Sequence, residues 1–382
     1  MTTRRIRILQ LQPECHERSH DRTDLAEQIV SAFPRARFEV TSAFLQGRPG
    51  PSHPQSCAEH THYFELPDNA LRGARFRLVW ELFRFCKQGR FDVVICNRYK
   101  PVSAIMTIHR WLDIPLCIGI SHGFGEYKTF WRRLFARLKN NAAWQFVGVS
   151  PAVRDHLVAL NCGFTSKNTS AITNALDIDE VELQQLSREE ARTELGLPLN
   201  IRLIGAIGRL VPVKGHVYLI QAFARIHEQF PDAHLAIIGE GREEAFLRDE
   251  IQRYGIEKKV HLLGWKTRAK KYVQAFDIWT MPSLQEGLGL ALLEGMSGHL
   301  PVIASDVPAM RPLIDGAGGI RVAPADVDAL TEALASYLAM TDEELRKKGE
   351  IAYGYLRRNH GVEEYRQAYL SLVDTFLKER TA

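Results

Sequence analysis

The sequence predicts an α/β protein built from two parallel-sheet domains, and three observations carry that prediction. Apolar runs of strand length alternate with amphipathic helical patterns along the chain, the alternation expected of α/β layers. Its 382 residues favour two domains, or one large one. The alternation breaks once, from Asn174 to Asn200, where the sequence turns acidic and polar before the pattern restarts.

In the first half, strands are expected at Ile6–Leu11, Phe38–Ser42, Asp92–Cys96, Pro115–Ile120 and Gln145–Val149. Helical spacing falls at Leu25–Phe33, Arg75–Cys86, Val102–Trp111, Phe130–Leu138 and Val153–Leu160. Gly47–His60, with three prolines and little apolar character, reads as a loop. A helix over Arg188–Leu195 lies inside the polar connection. The second half offers strands at Arg202–Ile207, His234–Ile238, Val260–Leu263, Asp277–Met281 and Val302–Ser305. Between and after them come helices at Tyr218–Phe230, Glu244–Tyr254, Leu290–Met296 and Asp326–Ala339, and two more from Asp342 to Lys378 that part near His360–Gly361. The expected organisation is a first domain over 1–175, a linker over 176–200, a second domain over 201–360 and a C-terminal helix over 361–382.

Composition narrows the class. With 45% apolar and 25% charged residues the chain reads as ordinary globular protein, and its apolar runs are strand-sized rather than membrane-spanning. The basic start has an apolar part too short for a signal peptide. Six cysteines form no CxxC pair, and Cys96 and Cys117 sit in apolar runs as small hydrophobes, so a reduced, cytoplasmic protein is expected. The net charge of +4 is uneven: residues 1–175 carry 24 Lys and Arg against 14 Asp and Glu, and residues 176–382 carry 25 against 31. A basic first half suits an anionic partner, and uneven solvation without function is the competing account.

Chemistry concentrates in Met281–Glu294, where a strand end, a turn with Gly287 and Gly289 and an apolar helix follow one another. Such a turn aims backbone N–H groups and the positive helix end at one point, a seat for phosphate. Glu286 and Glu294 flank that seat and would repel a phosphate, so a ligand carrying both phosphates and hydroxyls, a nucleotide sugar, accounts for both features. The partner stretch is Gly208-Arg209-Leu210-Val211-Pro212-Val213-Lys214-Gly215, again between a strand and a helix. Its two cations can converge on one dianion, although a solvated strand–helix loop would also hold Lys and Arg. At the carboxyl edge of a parallel sheet both loops open where such folds bind ligands.

Together these residues resemble the family 4 retaining glycosyltransferases, and the match runs from about Leu203 to Pro324. It includes Ile237-Ile238-Gly239-Glu240-Gly241, Val260 to Gly264, and Leu300 to Asp306. The resemblance implies the GT-B architecture, two Rossmann-like domains facing a central cleft, with the C-terminal helix packing back on the first. It implies that Arg209 and Lys214 grip the donor diphosphate, that Glu286 contacts donor-sugar hydroxyls and that Glu294 binds the ribose. The amides around Gly289, Leu290 and Ala291 would serve the sugar and phosphate, with Gly208, Gly239 and Gly287 in the same set; the backbone from Gly264 to Lys266 would read the base. His122, after an apolar strand, matches a histidine that faces the donor sugar; a structural histidine is the alternative. Asn174 matches a Pro-Asn-Gly position, with Thr173 and Ala175 as neighbours here. The relatives' glycine pair after the first strand is replaced by Leu11-Gln12-Pro13-Glu14-Cys15-His16-Glu17-Arg18-Ser19-His20.

Other motifs point to different chemistry. His16-Glu17-Arg18-Ser19-His20 spells H-E-x-x-H, but Pro13 and the polar flanks argue against the ordered helix a zinc site needs, so no metal is assigned. Cys57, His60 and His62 lie in a loop without convergent geometry, and Gly123-Phe124-Gly125 and Gly239-Glu240-Gly241 lack the third glycine of a dinucleotide fingerprint. Lys128–Lys139 holds five cations and no acid, with Lys128, Trp131, Arg132, Arg133, Arg137 and Lys139 on a helix that could lie on an anionic bilayer. A core helix with a basic solvent face is the competing account.

The sequence therefore predicts a metal-independent, retaining glycosyltransferase without a cofactor. Its donor would be a nucleotide sugar, a UDP-sugar first among them, and its acceptor a glycan or glycolipid in lipopolysaccharide core or surface polysaccharide synthesis. No nucleic acid is expected, and the protein is placed in the cytoplasm or on the cytoplasmic face of the inner membrane. The catalytic set would be His122, Glu286, Arg209 and Lys214. The rivals are another GT-B enzyme such as a sugar-nucleotide epimerase, and a non-catalytic nucleotide-sugar-binding protein.

Overall fold

Every strand in the computed structural model, which describes residues 4–15, 19–50, 53–71 and 75–381, pairs in parallel with its neighbours. Seven strands form one sheet: β1 (Ile6–Glu14), β2 (Phe38–Gln46), β3 (His60–Tyr63), β4 (Val93–Asn97), β5 (Leu116–Ser121), β6 (Trp144–Gly148) and β7 (Thr169–Ala171), in the order β3-β2-β1-β4-β5-β6-β7. Six form the other: β8 (Arg202–Ile207), β9 (Ala233–Ile238), β10 (Val260–Leu262), β11 (Ile278–Met281), β12 (Val302–Ser305) and β13 (Ile320–Val322), in the order β10-β9-β8-β11-β12-β13. Helices cover both faces of a parallel sheet, so its central strands are buried on both sides and read as near-continuous apolar runs. Every residue of β4 and of β5 is buried.

The chain divides into two compact units, one formed by residues 1–174 with 362–382 and the other by residues 175–361. In the first, Leu9, Leu11, Val94, Cys96 and Cys117 build the core on one face of the sheet, and Cys96 and Cys117 are fully buried thiols, as their apolar context predicts. In the second, alternate strand residues serve opposite faces: Leu203, Ala236 and Ile238 on one, Ile204, Leu235 and Ile237 on the other.

The C-terminal helix Val362–Thr381 returns to the first unit, as expected. There Asp374 accepts from Arg37 at 2.7 Å, Arg366 donates to Gln28, and Tyr365, Tyr369 and Val373 are buried. Residues 176–200 hold two helices, Ile178–Gln184 and Arg188–Leu195, and both belong to the second unit. The second is framed by a capping box between Ser187 and Glu190 and stopped by Gly196 in the left-handed region. Its Arg192 is fully buried and donates to the carbonyls of Ala275, Leu199 and Ile201 and to Asp277 at 2.8 Å.

Three short strands, β3, β7 and β13, and two short helices, Ile178–Gln184 and Arg311–Gly316, lie beyond the predicted set. The three strands are at or beside sheet edges, where few residues show a period and one flank is open. Among the described residues of 47–60, all but the last are loop, and His60 begins β3.

Candidate active site

In the second unit the strand order runs outward in opposite directions from the junction of β8 and β11. At such a switch point the loops leaving the two strands diverge, opening a crevice at the carboxyl edge where ligands of doubly wound sheets bind. The loop after β8 is Gly208–Gly215 and the loop after β11 is Pro282–Gly289, the two stretches singled out by sequence. Gly215, at φ 66°, lies so close to the Pro282 carbonyl that an added Cβ would sit 2.1 Å from the oxygen. The Leu284 N–H donates to the Val213 carbonyl at 2.8 Å, which locks the two loops together. Across that contact Lys214 Nζ meets Glu286 Oε1 at 2.6 Å, with the two side chains 19% and 13% exposed.

The structure thus brings Lys214 and Glu286 together as an ion pair beside the turn at Gly287 and Gly289. Gly289, at φ 104°, opens the helix Leu290–Ser297, whose first amides, at Leu290 and Ala291, precede the intrahelical ladder. Glu294 is half-buried one turn into that helix. Arg209 stands exposed directly after Gly208. Gly239 has a packing duty besides the ligand contact expected of it. Its Cβ position falls 1.9 Å from the Gly208 carbonyl, and Gly241 makes the same close approach to Leu210, so the β9 loop supports the β8 loop from behind. Gly264 keeps a left-handed φ of 67° with open space at its Cβ position, and its carbonyl accepts from the Gly239 N–H at 2.9 Å.

His216 escaped the sequence reading because it follows Lys214-Gly215 as an ordinary first residue of a helix. It is buried beneath the Gly208–Arg209 backbone, and burial, with Lys214 adding to it, holds its pKa down to about 4. The imidazole is neutral, so it adds no charge to the loop above.

The first unit gathers a second polar cluster at the carboxyl ends of its central strands. His122, just past β5, donates its backbone N–H to Glu126 Oε1 at 2.8 Å, and its Nε2 lies 3.1 Å from Asn97 Oδ1 at the end of β4. The residue is half-buried, and burial with the nearby Arg98 presses its pKa down to about 3. Burial raises the Glu126 carboxyl to about 7, against the pull of the His122 amide and of Arg98. Asn97, Arg98 and Glu126 carried no sequence signal, since Asn97 and Arg98 lie together at the end of one strand and Glu126 stands apart in the loop after another. Asn174 is buried, with its N–H on the Val149 carbonyl at 3.2 Å.

Of the H-E-x-x-H segment, His16, Glu17 and Arg18 lie outside the described residues. His20 is buried between Glu27 (Nδ1 to Oε1, 3.0 Å) and the Tyr63 hydroxyl (2.8 Å). In the basic helix Phe130–Lys139, Phe135 packs toward the core and Ala136 is buried, while Phe130, Trp131 and Leu138 are exposed. Arg132 turns inward, donating to the Glu126 carbonyl at 2.9 Å and lying over the Tyr99 ring. Arg133 is half-buried with a covered Nε, and Lys128 and Arg137 remain exposed, with Lys139 half-buried.

Two Rossmann-like parallel sheets, the second bearing a cation–carboxylate pair at its switch point, define an α/β protein of GT-B architecture. The chain belongs to the family 4 glycosyltransferases. Residues 25–180 match the family described as Glycosyltransferase Family 4, and residues 187–353 match Glycosyl transferases group 1. It is 30% identical over 189 residues to a D-inositol 3-phosphate glycosyltransferase of Corynebacterium urealyticum, which covers 46% of this chain and 44% of the relative. It is 27% identical to a UDP-Gal:alpha-D-GlcNAc-diphosphoundecaprenol alpha-1,3-galactosyltransferase of Escherichia coli, over 76% of this chain and 78% of the relative. It is 26% identical to the lipopolysaccharide core biosynthesis mannosyltransferase LpsB of Rhizobium meliloti, over 50% and 56%. The aligned stretch is thus under two thirds of two of these relatives' lengths. Among solved structures, a glycosyltransferase from Rickettsia africae superimposes with a TM-score of 0.81 at 17% identity, over 98% of this chain and 100% of that one. A sucrose-phosphate synthase from Thermosynechococcus elongatus gives 0.77 at 17%, over 98% and 100%. At these identities the likeness is one of fold.

Proposed function

We propose that this protein transfers a sugar from a UDP-sugar to a hydroxyl of a glycan or glycolipid, with retention of anomeric configuration and without a metal ion. The observation that carries the reading is the Lys214–Glu286 pair that joins the two loops at the switch point of the second sheet. A cation and a carboxylate held side by side suit a ligand that presents a diphosphate next to sugar hydroxyls.

In the reaction the C1–oxygen bond to the donor diphosphate breaks and a bond from C1 to the acceptor oxygen forms on the same face. The acceptor proton passes to the departing phosphate oxygen. Charge builds on the diphosphate as it leaves, and Arg209, Lys214 and the amides at Leu290 and Ala291 stabilise it; preorganised donors of this kind supply a large share of a rate enhancement. Glu286 accepts from donor-sugar hydroxyls, Glu294 from the ribose, and Gly264 lends its backbone to the base. His122 completes the catalytic set; neutral, it can accept or donate a hydrogen bond to a hydroxyl without attracting the phosphate.

The acceptor reading draws on relatives named for lipopolysaccharide core and undecaprenol-linked sugars. It also draws on the exposed Phe130, Trp131 and Leu138 beside Lys128 and Arg137, which suit an anionic bilayer on the cytoplasmic face of the inner membrane. A thermal-shift screen over nucleotides and nucleotide sugars tests the donor half. UDP and one UDP-sugar should raise the melting temperature, and indifference to every nucleotide would remove the reading. Product analysis with a labelled UDP-sugar then separates transfer from epimerisation, which would return a free nucleotide sugar of altered configuration.

A further inference from the structure

Asn97 and His122 meet for reasons that begin in the strand register. Asn97 closes β4 opposite Ile120 of β5, and His122 follows Ile120 by two residues, so both side chains fall on the same side of the sheet edge. The Arg98 N–H donates to the Ile120 carbonyl at 2.9 Å, which holds Asn97 in the ladder as its last residue. Arg98 has φ 69° and ψ 169°, a backbone that glycine adopts freely and arginine does not. The chain is therefore strained where it leaves Asn97 for the helix Tyr99–Ile108. Strain of this kind persists only where surrounding contacts hold it, and it collects at functional sites.

His122 is held from both ends. Its backbone N–H is fixed by Glu126, and its ring Nε2 lies 3.1 Å from Oδ1 of the buried Asn97. A carboxamide oxygen only accepts, so the proton between the two atoms belongs to Nε2. The charged groups that face the ring are Arg98 and Glu126, and burial beside the Arg98 guanidinium keeps the imidazole neutral at physiological pH. A neutral imidazole has one N–H. With that N–H given to Asn97, Nδ1 is left as a lone-pair acceptor, and none of the described residues donates to it.

We propose that Asn97 is a positioning residue that locks His122 in the Nε2–H tautomer and so makes it an acceptor for a substrate hydroxyl. A hydroxyl that meets His122 must then donate, which an ether, deoxy or fluoro position cannot do. Placing that hydroxyl on the donor sugar rests on the transfer reading above; the tautomer does not. In the competing account the two side chains only satisfy each other, and turnover is indifferent to the tautomer.

The test is NMR of the full chain labelled with ¹⁵N in the histidine rings, with His122→Gln identifying the His122 signals. At pH 7 the ring proton should sit on Nε2 and Nδ1 should be bare. Asn97→Leu, close in shape but unable to accept, should mix the two tautomers. It should also lower kcat/KM for UDP release about tenfold, the worth of roughly one hydrogen bond, with whichever of UDP-glucose, UDP-galactose and UDP-N-acetylglucosamine the native chain uses. Asn97→Asp, equal in shape to the native residue, should hold His122 protonated at pH 6, where the native ring is neutral. It decides the matter if Asn97→Leu does not fold. The proposal fails if the native proton sits on Nδ1, if either variant leaves the His122 signals unchanged, or if the tautomers mix while UDP release keeps its native rate. A native chain whose melting temperature ignores UDP and all three sugars would overturn the transfer reading, and the spectra would still decide the tautomer.

Discussion

Lys214 and Glu286 are each mostly covered, so removing one leaves the other charged in a partly desolvated site. The two substitutions should nonetheless separate. Lys214→Ala removes phosphate stabilisation and should lower transfer by about 10²–10³-fold while abolishing the thermal shift with UDP. Glu286→Gln should also impair transfer, since it weakens the sugar contact, yet keep or increase the shift with UDP, because Lys214 no longer shares itself with a carboxylate. Equal loss of the UDP response in both variants would show that Glu286 serves the nucleotide and not the sugar. Glu126 gives a pH prediction at the same scale. Its folded pKa of about 7 lies above its ordinary value, so between those points the folded state binds more protons than the unfolded one. Its contribution to stability therefore falls as pH rises through that window. Glu126→Gln removes the effect, so its melting temperature relative to the native chain should climb from pH 4.5 to 7. A constant difference would refute the assignment. His122 and His216, both held low, act in the opposite sense and lose stability as pH falls below the ordinary histidine range, which makes the variant-minus-native difference the quantity to measure.

At the scale of the element, the helix Phe130–Lys139 is less simply cationic than its sequence suggests. Arg132 is committed to the Glu126 carbonyl and the Tyr99 ring, so reversing its charge would test the fold as much as a membrane. Phe130 and Trp131 are 62% and 75% exposed and are the better probes. Replacing both by serine should lower association with anionic vesicles at least tenfold, given about 1.5–3 kcal/mol for burying one large apolar side chain. Unchanged partitioning in a sedimentation assay would leave the helix as a solvated face. The helix Arg188–Leu195 supplies a stability prediction. Arg192→Leu would strand three carbonyls and half of the Asp277 pairing, and should cost about 3–5 kcal/mol in chemical denaturation. The central strands were legible because burial on both faces makes them unbroken apolar runs; β3 (His60–Tyr63) was not, because an edge strand of four half-exposed or exposed residues carries neither run nor alternation.

For the whole molecule, the two sheets were unequally readable for a physical reason. The loops after β8 and β11 each keep their glycines, cations and carboxylates within one strand–turn–helix, so the chemistry is local in sequence, and Lys214 and Glu286 needed only the register of β8 against β11 to meet. The contact of Asn97 with His122 is assembled from the end of β4 and the loop after β5, and no spacing in the chain announces it. Gly239, which the resemblance assigned to the ligand, also packs closely against the Gly208 carbonyl. This division predicts where a nucleotide will be felt. A ligand that binds only the folded state stabilises it by about 2.7 kcal/mol at a hundred times its dissociation constant. Hydrogen exchange with saturating UDP should therefore slow at Gly208–Gly215, at Gly264 and at Gly287–Leu292, all within residues 175–361. The same ligand should leave the amides of Gln12, Asn97 and His122 within twofold of their free rates. If UDP protected the amides of Gln12 and Asn97 instead, the assignment of the donor to the second sheet would have to be reversed.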